Sequence, residues 1–161
     1  SKPGSRFHSL FPYQSMAFAE QSFTAKTEPP RRHRLLVIDD EPTIRRLVEI
    51  LLDKHYDLEL AACGAEGLEK AKDFAPDLVL LDLFMPKMDG FEVCKRLKED
   101  SQTKDIPVVM LTAVSRKQER ERGFEVGAVD YITKPFLPRE LKQRIEQLLA
   151  DFCPETLRRE D

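Results

Sequence analysis

Leu78-Val79-Leu80-Leu81-Asp82, followed by Leu83-Phe84-Met85-Pro86-Lys87-Met88-Asp89-Gly90, is an apolar run that ends in an acid and breaks into a loop. Four aliphatic residues in a row, with no polar alternation, suit a strand buried on both faces. Three more runs repeat the pattern. Leu35-Leu36-Val37-Ile38 ends in Asp39-Asp40, Val108-Val109-Met110-Leu111 ends in Thr112, and Tyr131-Ile132 ends in Thr133-Lys134-Pro135. In an open α/β sheet, ligands sit at the carboxyl ends of the strands. The pattern therefore predicts that three acids, one hydroxyl and one lysine converge on a single edge. Three carboxylates there can hold a hard divalent cation, and a hydroxyl and an amine can meet an anion.

Helical patterns separate the runs. Pro42 suits a first helical turn, and Ile44, Leu47, Val48, Leu51 and Leu52 recur behind it at helical spacing. A second strand is expected over residues 58–62, then a short helix opened by Gly64 and Ala65. A third helix follows Gly90 and carries Phe91, Val93, Cys94 and Leu97. A charged helix is expected over 115–126, ended by Gly127, then a strand over 129–133 and a last helix over 138–152. Five β-α units of this kind imply right-handed crossovers and a parallel sheet with helices on both faces.

The bulk properties narrow the function classes. A chain of 161 residues fits one domain and a tail. The net charge of −3 argues against general nucleic-acid affinity. Residues 1–33 hold five basic residues (Lys2, Arg6, Lys26, Arg31, Arg32) against two acids, so the acidity lies in the remainder. That leader mixes Ser and Pro with Phe7, Phe11, Tyr13, Phe18 and Phe23, and closes on Pro29-Pro30. It is expected to be a flexible leader or linker, part of it an expression remnant. The three cysteines, Cys63, Cys94 and Cys153, lack metal spacing and suit reduced thiols. No apolar stretch approaches ~18–20 residues, so neither a membrane span nor a membrane partner is expected.

The segments Val37-Ile38-Asp39-Asp40-Glu41, Leu81 to Gly90, Leu111-Thr112-Ala113 and Asp130-Tyr131-Ile132-Thr133-Lys134-Pro135-Phe136 resemble the response-regulator receiver domain of two-component signalling. The four motifs stand in order over about residues 34–150. The resemblance implies a flavodoxin-like α/β fold with strand order 2-1-3-4-5. It implies a receiver domain over 34–152 and a charged tail over 153–161. By position, Asp82 resembles the phosphoacceptor. Asp40, Asp82 and the backbone carbonyl of Phe84 resemble the direct Mg²⁺ ligands, with Asp39 acting through water. Lys134 resembles the lysine that pairs with the phosphoacceptor at rest and with the phosphoryl group afterwards, and Pro135 the proline that takes a cis bond. Thr112 resembles the switch hydroxyl, and Tyr131 the aromatic that swings inward when that hydroxyl withdraws. Phe84 and Val114 occupy the positions that tune the lifetime of the phosphorylated state.

Taken singly, each motif has a plainer explanation. An Asp-Asp pair after a strand is often a cap, and a Lys-Pro is a common turn. Their joint occurrence at strand ends is what makes the signal specific. The charges of Arg116, Lys117, Glu119, Arg120, Glu121 and Arg122 are expected to form a solvated helix face. His8, His33 and His55 are expected at the surface.

The resemblance further implies a histidine kinase or histidine phosphotransfer protein as donor. An output domain or partner would engage the face of the fourth helix, fifth strand and fifth helix, with homodimer formation on phosphorylation. A cytoplasmic location is expected, no direct nucleic-acid binding, and no enzyme activity beyond self-phosphorylation and self-dephosphorylation. Two alternatives stay open: a pseudo-receiver that is not phosphorylated, and a flavodoxin-like cofactor binder. The second would need a phosphate loop where the acidic Asp39-Asp40-Glu41-Pro42 stands.

Overall fold

The computed structural model describes residues 31–113 and 116–153. Five strands form one parallel sheet: β1 (Arg34–Ile38), β2 (Asp57–Ala61), β3 (Leu78–Asp82), β4 (Val108–Thr112) and β5 (Asp130–Thr133). Their order across the sheet is β2-β1-β3-β4-β5, the order expected. The helices are α1 (Pro42–Leu52), α2 (Gly64–Phe74), α3 (Gly90–Glu99), α4 (Lys117–Glu125) and α5 (Pro138–Phe152). Among the described residues, no helix is long and apolar enough to cross a membrane.

The apolar runs are unbroken because both faces of the sheet are covered. Side chains alternate along each strand. Leu35, Val37, Leu78, Leu80, Val109 and Leu111 pack on one side with Val48 and Leu52 of α1 and Leu141, Ile145 and Leu149 of α5. Leu36, Ile38, Val79, Leu81, Val108 and Met110 pack on the other with Ala71 of α2 and Phe91, Cys94 and Leu97 of α3. Burying one such aliphatic side chain contributes roughly 1.5–3 kcal/mol. The edge strand β2 is the half-exposed one, and there the run is broken by Asp57 and Glu59.

Register brings the ends of the strands level. Leu35 pairs with Leu78, Asp82 with Leu111, and Thr112 with Thr133. The polar residues that close the runs therefore emerge along one edge. The turn after β3 folds back on itself: Gly90 N donates to Leu83 O at 2.8 Å, and Asp89 caps α3 by accepting from Glu92 N at 2.9 Å. Any side chain at Gly90 would meet the Asp82 carbonyl oxygen 2.5 Å from its Cβ, so this close approach requires glycine.

Two expectations on surface character need correction. His33 is half-buried rather than exposed, with a buried Nε2. Glu119 is not a solvated member of the charged helix; it is half-buried, and its Oε2 has no hydrogen-bond partner. Both lie against the domain because the backbone next to them is engaged: His33 O accepts from Asp57 N, and Glu119 O from the Tyr131 hydroxyl. The three thiols are free, with Cys63 exposed, Cys94 buried and Cys153 half-buried. The leader over residues 1–30, the tail beyond Cys153, and Val114 lie outside the described residues.

Candidate functional site

The first turn after β1 supplies two acids. Asp39 is fully buried; its carboxylate accepts from Glu41 N at 2.9 Å, and its carbonyl accepts from the Arg45 guanidinium at 2.7 Å. Asp82 is the last residue of β3 and is also buried. Asp39, Asp40 and Asp82 each offer one carboxylate oxygen to a group whose members lie within 4.8 Å of one another. β1 and β3 are adjacent, but their following helices leave on opposite faces of the sheet, so the acids meet at the crevice where connections diverge.

Lys134 follows β5, its backbone N–H donating to Thr112 O at 2.8 Å. The Lys134–Pro135 peptide bond is cis. The ammonium donates to Asp39 at 2.7 Å and stands 3.5 Å from both Asp82 and Glu41. It thus forms an ion pair with both Asp39 and Asp82, the closer contact being with Asp39. Both carboxylates are buried and need a counter-charge, and the one ammonium answers both.

The electrostatics follow from this crowding. Two carboxylates at such range repel by on the order of 3 kcal/mol at an effective dielectric of about 20, less where water reaches the half-buried Asp40. One lysine against three acids leaves the cluster two charges negative when all are ionised. Burial, then the charge of Asp39, pushes the Asp82 carboxyl up to about 7, against the downward pull of Lys134. An unperturbed aspartate is fully ionised at neutral pH. Burial pulls the Lys134 ammonium down, but its hydrogen bond and attraction to Asp39, aided by Asp82 and Glu41, outweigh that and hold it above the usual lysine range.

Folded Asp82 thus keeps its proton to about pH 7, while an unfolded aspartate loses it near its ordinary value. The folded state binds more protons between those limits, so the stability of metal-free protein should fall as pH rises through that window. Asp82→Asn should raise the melting temperature of metal-free protein more at about pH 8 than at about pH 5. A larger gain at the lower pH would contradict the raised carboxyl.

The donor set fits a hard divalent ion. It offers only oxygens, it carries an excess charge of two, and its acids are close enough to share one ligand sphere. Phe84 follows Asp82 by two residues and is 49% exposed. Thr112 is buried at the end of β4. Tyr131 is not part of the carboxylate cluster. It pairs with Met110 in the sheet, its ring is buried, and its hydroxyl donates to Glu119 O of α4 at 2.6 Å. The fifth strand is also tied to α5, because Arg144 donates to Asp130 at 2.7 Å.

Sequence reasoning did not single out Glu41 or Arg45. Glu41 directly follows the acid pair, and Arg45 lies one turn further at i+4. That spacing was the available signal for a cation facing the β1 carboxyl end.

Comparison with known proteins agrees with this geometry. Residues 35–146 match the family model described as the response regulator receiver domain. The DNA-binding dual master transcriptional regulator RpaA of Synechocystis is 49% identical over 117 residues, covering 72% of this chain and 48% of that protein. The alkaline phosphatase synthesis transcriptional regulatory protein PhoP of Bacillus subtilis is 44% identical over 117 residues, with the same shares covered. The chain spans about half the length of these curated relatives, so the DNA binding named for the first is a property of that longer protein. Among solved structures, the chemotaxis protein CheY4 of Vibrio cholerae superposes with a TM-score of 0.71 at 36% identity, over 74% of this chain and 100% of that one.

Proposed function

The chain belongs to the response regulator receiver domain family, and from that premise we propose that it is a phosphoacceptor of a two-component phosphorelay. It takes a phosphoryl group from a histidine kinase or histidine phosphotransfer protein onto Asp82 and hands the change on through the face of α4, β5 and α5. The observation that carries this reading is the meeting of three carboxylates with one buried lysine at the carboxyl edge of the sheet.

In the transfer, a carboxylate oxygen of Asp82 attacks the phosphorus of the donor phosphoimidazole. The P–N bond breaks, and the imidazole leaves with the electron pair. Positioning and charge cancellation are most of what this reaction asks of a protein. Asp40, Asp82 and the Phe84 carbonyl would hold Mg²⁺, with Asp39 acting through water; when bound, the ion neutralises the acids and the oxygens of the transferred group. Lys134, already inside the cluster, pairs with one phosphoryl oxygen. The Thr112 hydroxyl meets another, and Tyr131 follows its movement. A new charge at one point thereby biases a two-state element, as phosphorylation switches do.

The ties among β5, α4 and α5 support that face as the output surface, since Tyr131 engages α4 and Asp130 engages α5. The relatives named as transcriptional regulators favour a transcriptional output through a module or partner other than residues 34–152. Beyond forming and hydrolysing its own aspartyl phosphate, the domain performs no enzymatic reaction.

The test is a titration with beryllofluoride, a phosphoryl mimic, followed by amide chemical shifts. Saturable shifts around Asp82 and across residues 112–140 are expected with Mg²⁺ and should vanish with chelator. Thr112→Ala should retain the shifts around Asp82 and lose most of those over 130–140. Absence of any response in the wild type would sink the phosphoacceptor reading and favour a pseudo-receiver. Intact distal shifts in Thr112→Ala would refute the coupling alone.

A further inference from the structure

α4 carries a glycine in its interior, Gly123, and it is the buried residue of that helix. Glycine is the poorest helix former after proline, so an exposed or loosely packed position would not favour it here. The structure supplies the reason. A Cβ at 123 would fall on the Tyr131 hydroxyl oxygen, with ring carbons Cζ at 2.8 Å and Cε2 at 3.0 Å. The hydroxyl enters the space that a side chain would fill and donates to Glu119 O, one turn earlier on the same helix, at 2.6 Å. Phe124, next along the helix, closes the ring edge-on at a centroid distance of 5.5 Å. Tyr131 is left only 7% exposed.

We infer that Gly123 is a positioning residue of the switch: its missing side chain is the socket that admits the inward Tyr131 ring, and it sets how readily that ring is seated. This rests on the reading of Tyr131 as the aromatic that moves inward with the phosphoryl-linked change. The contact has little slack. The clashing atoms belong to a planar ring fixed at its base by β5 pairing with Met110 and at its tip by the hydroxyl's hydrogen bond. A methyl group at 123 therefore excludes the seated ring rather than nudging it.

The experiment uses the full chain labelled with 3-fluorotyrosine, with the Tyr131 fluorine signal assigned by its loss in Tyr131→Phe. Solvent exposure is read, with Mg²⁺ and beryllofluoride present, from broadening by a soluble paramagnetic agent, and switch function from beryllofluoride affinity at fixed Mg²⁺. Gly123→Ala should turn the Tyr131 signal from protected to exposed and weaken beryllofluoride binding by about fivefold or more, the lower end of usual coupling between sites. In a Tyr131→Ala background, Gly123→Ala should change that affinity no further; any gain in helix propensity is common to both backgrounds and drops out of the comparison. Should the single variant unfold, a folded double variant carries the same conclusion, and a double variant that also unfolds overturns it. A Tyr131 signal that stays protected in Gly123→Ala, or an affinity unchanged once the ring is exposed, overturns it too. Failure of the phosphoacceptor reading would show separately, as a wild type that gives no saturable response to Mg²⁺ and beryllofluoride, and the ring-exposure arm would still decide the socket.

Discussion

Asp82→Asn is expected to abolish phosphoryl uptake from a small donor such as acetyl phosphate in the presence of Mg²⁺. The carboxamide has nearly the same shape, so the fold and the β3 register remain. What is lost is the anionic oxygen that attacks phosphorus and one anionic ligand of the acidic cluster. A neutral amide is a poor nucleophile, and the rate should fall by about a hundredfold or more, equivalent to roughly 2.7 kcal/mol in barrier. The rise of the Asp82 carboxyl to about 7 sharpens the comparison. At limiting Mg²⁺, wild-type uptake should increase as pH rises through neutrality, since the ionised form is the reactive one, and the Asn variant should show no such dependence. Uptake at the wild-type level in the variant would remove Asp82 from its proposed role.

The second large effect concerns the lifetime of the phosphorylated state. Phe84, two residues after Asp82, is half-exposed and offers no group that can orient water. Val114, the other position that the family resemblance ties to lifetime, is apolar too. Replacing Phe84 with Asn and Val114 with Glu should supply hydrogen-bonding groups for a water attacking the aspartyl phosphate. Dephosphorylation should accelerate by about tenfold or more, equivalent to roughly 1.4 kcal/mol. Phosphate loss after removal of the donor, at constant Mg²⁺, measures it. A doubly substituted protein that loses phosphate no faster than the wild type would show that these side chains do not set the lifetime.

The architecture was legible because the sheet is covered on both faces. Strands buried on both sides need unbroken aliphatic runs, and Leu78–Leu81 and Val108–Leu111 stand out for that reason alone. The parallel arrangement with short loops then brings the polar residues at the end of each run to one edge, and Asp39, Asp82, Thr112 and Lys134 can be grouped on that ground alone. Boundaries were less legible. The first strand ends at Ile38, one residue before the acid that was expected to close it, and the second runs one residue earlier than expected. Nothing in the residue types marks such an offset, because it depends on which backbone groups pair across the sheet.

The features hidden from the sequence depend on contacts between segments far apart in the chain. The closer contact of Lys134 with Asp39 than with Asp82 joins residues 95 and 52 positions apart, and no local pattern encodes that. Glu119 looked like one more charge on a polar helix, because periodicity cannot tell that Tyr131 reaches its carbonyl. Gly123 drew no attention beside Gly127, which has the positive φ of a helix terminator. A glycine in the middle of a strongly charged helix was itself the overlooked signal.

The most direct measurement is the location of the modified residue. The wild-type chain, incubated with acetyl phosphate and Mg²⁺, is weighed intact, and the adduct is then mapped in peptides after borohydride reduction of the acyl phosphate. One phosphoryl group per chain is expected, labile to base and hydroxylamine, carried by Asp82 and absent when chelator is present during the incubation. No gain in mass under these conditions, or a phosphoryl group on another residue with Asp82 unmodified, would contradict it.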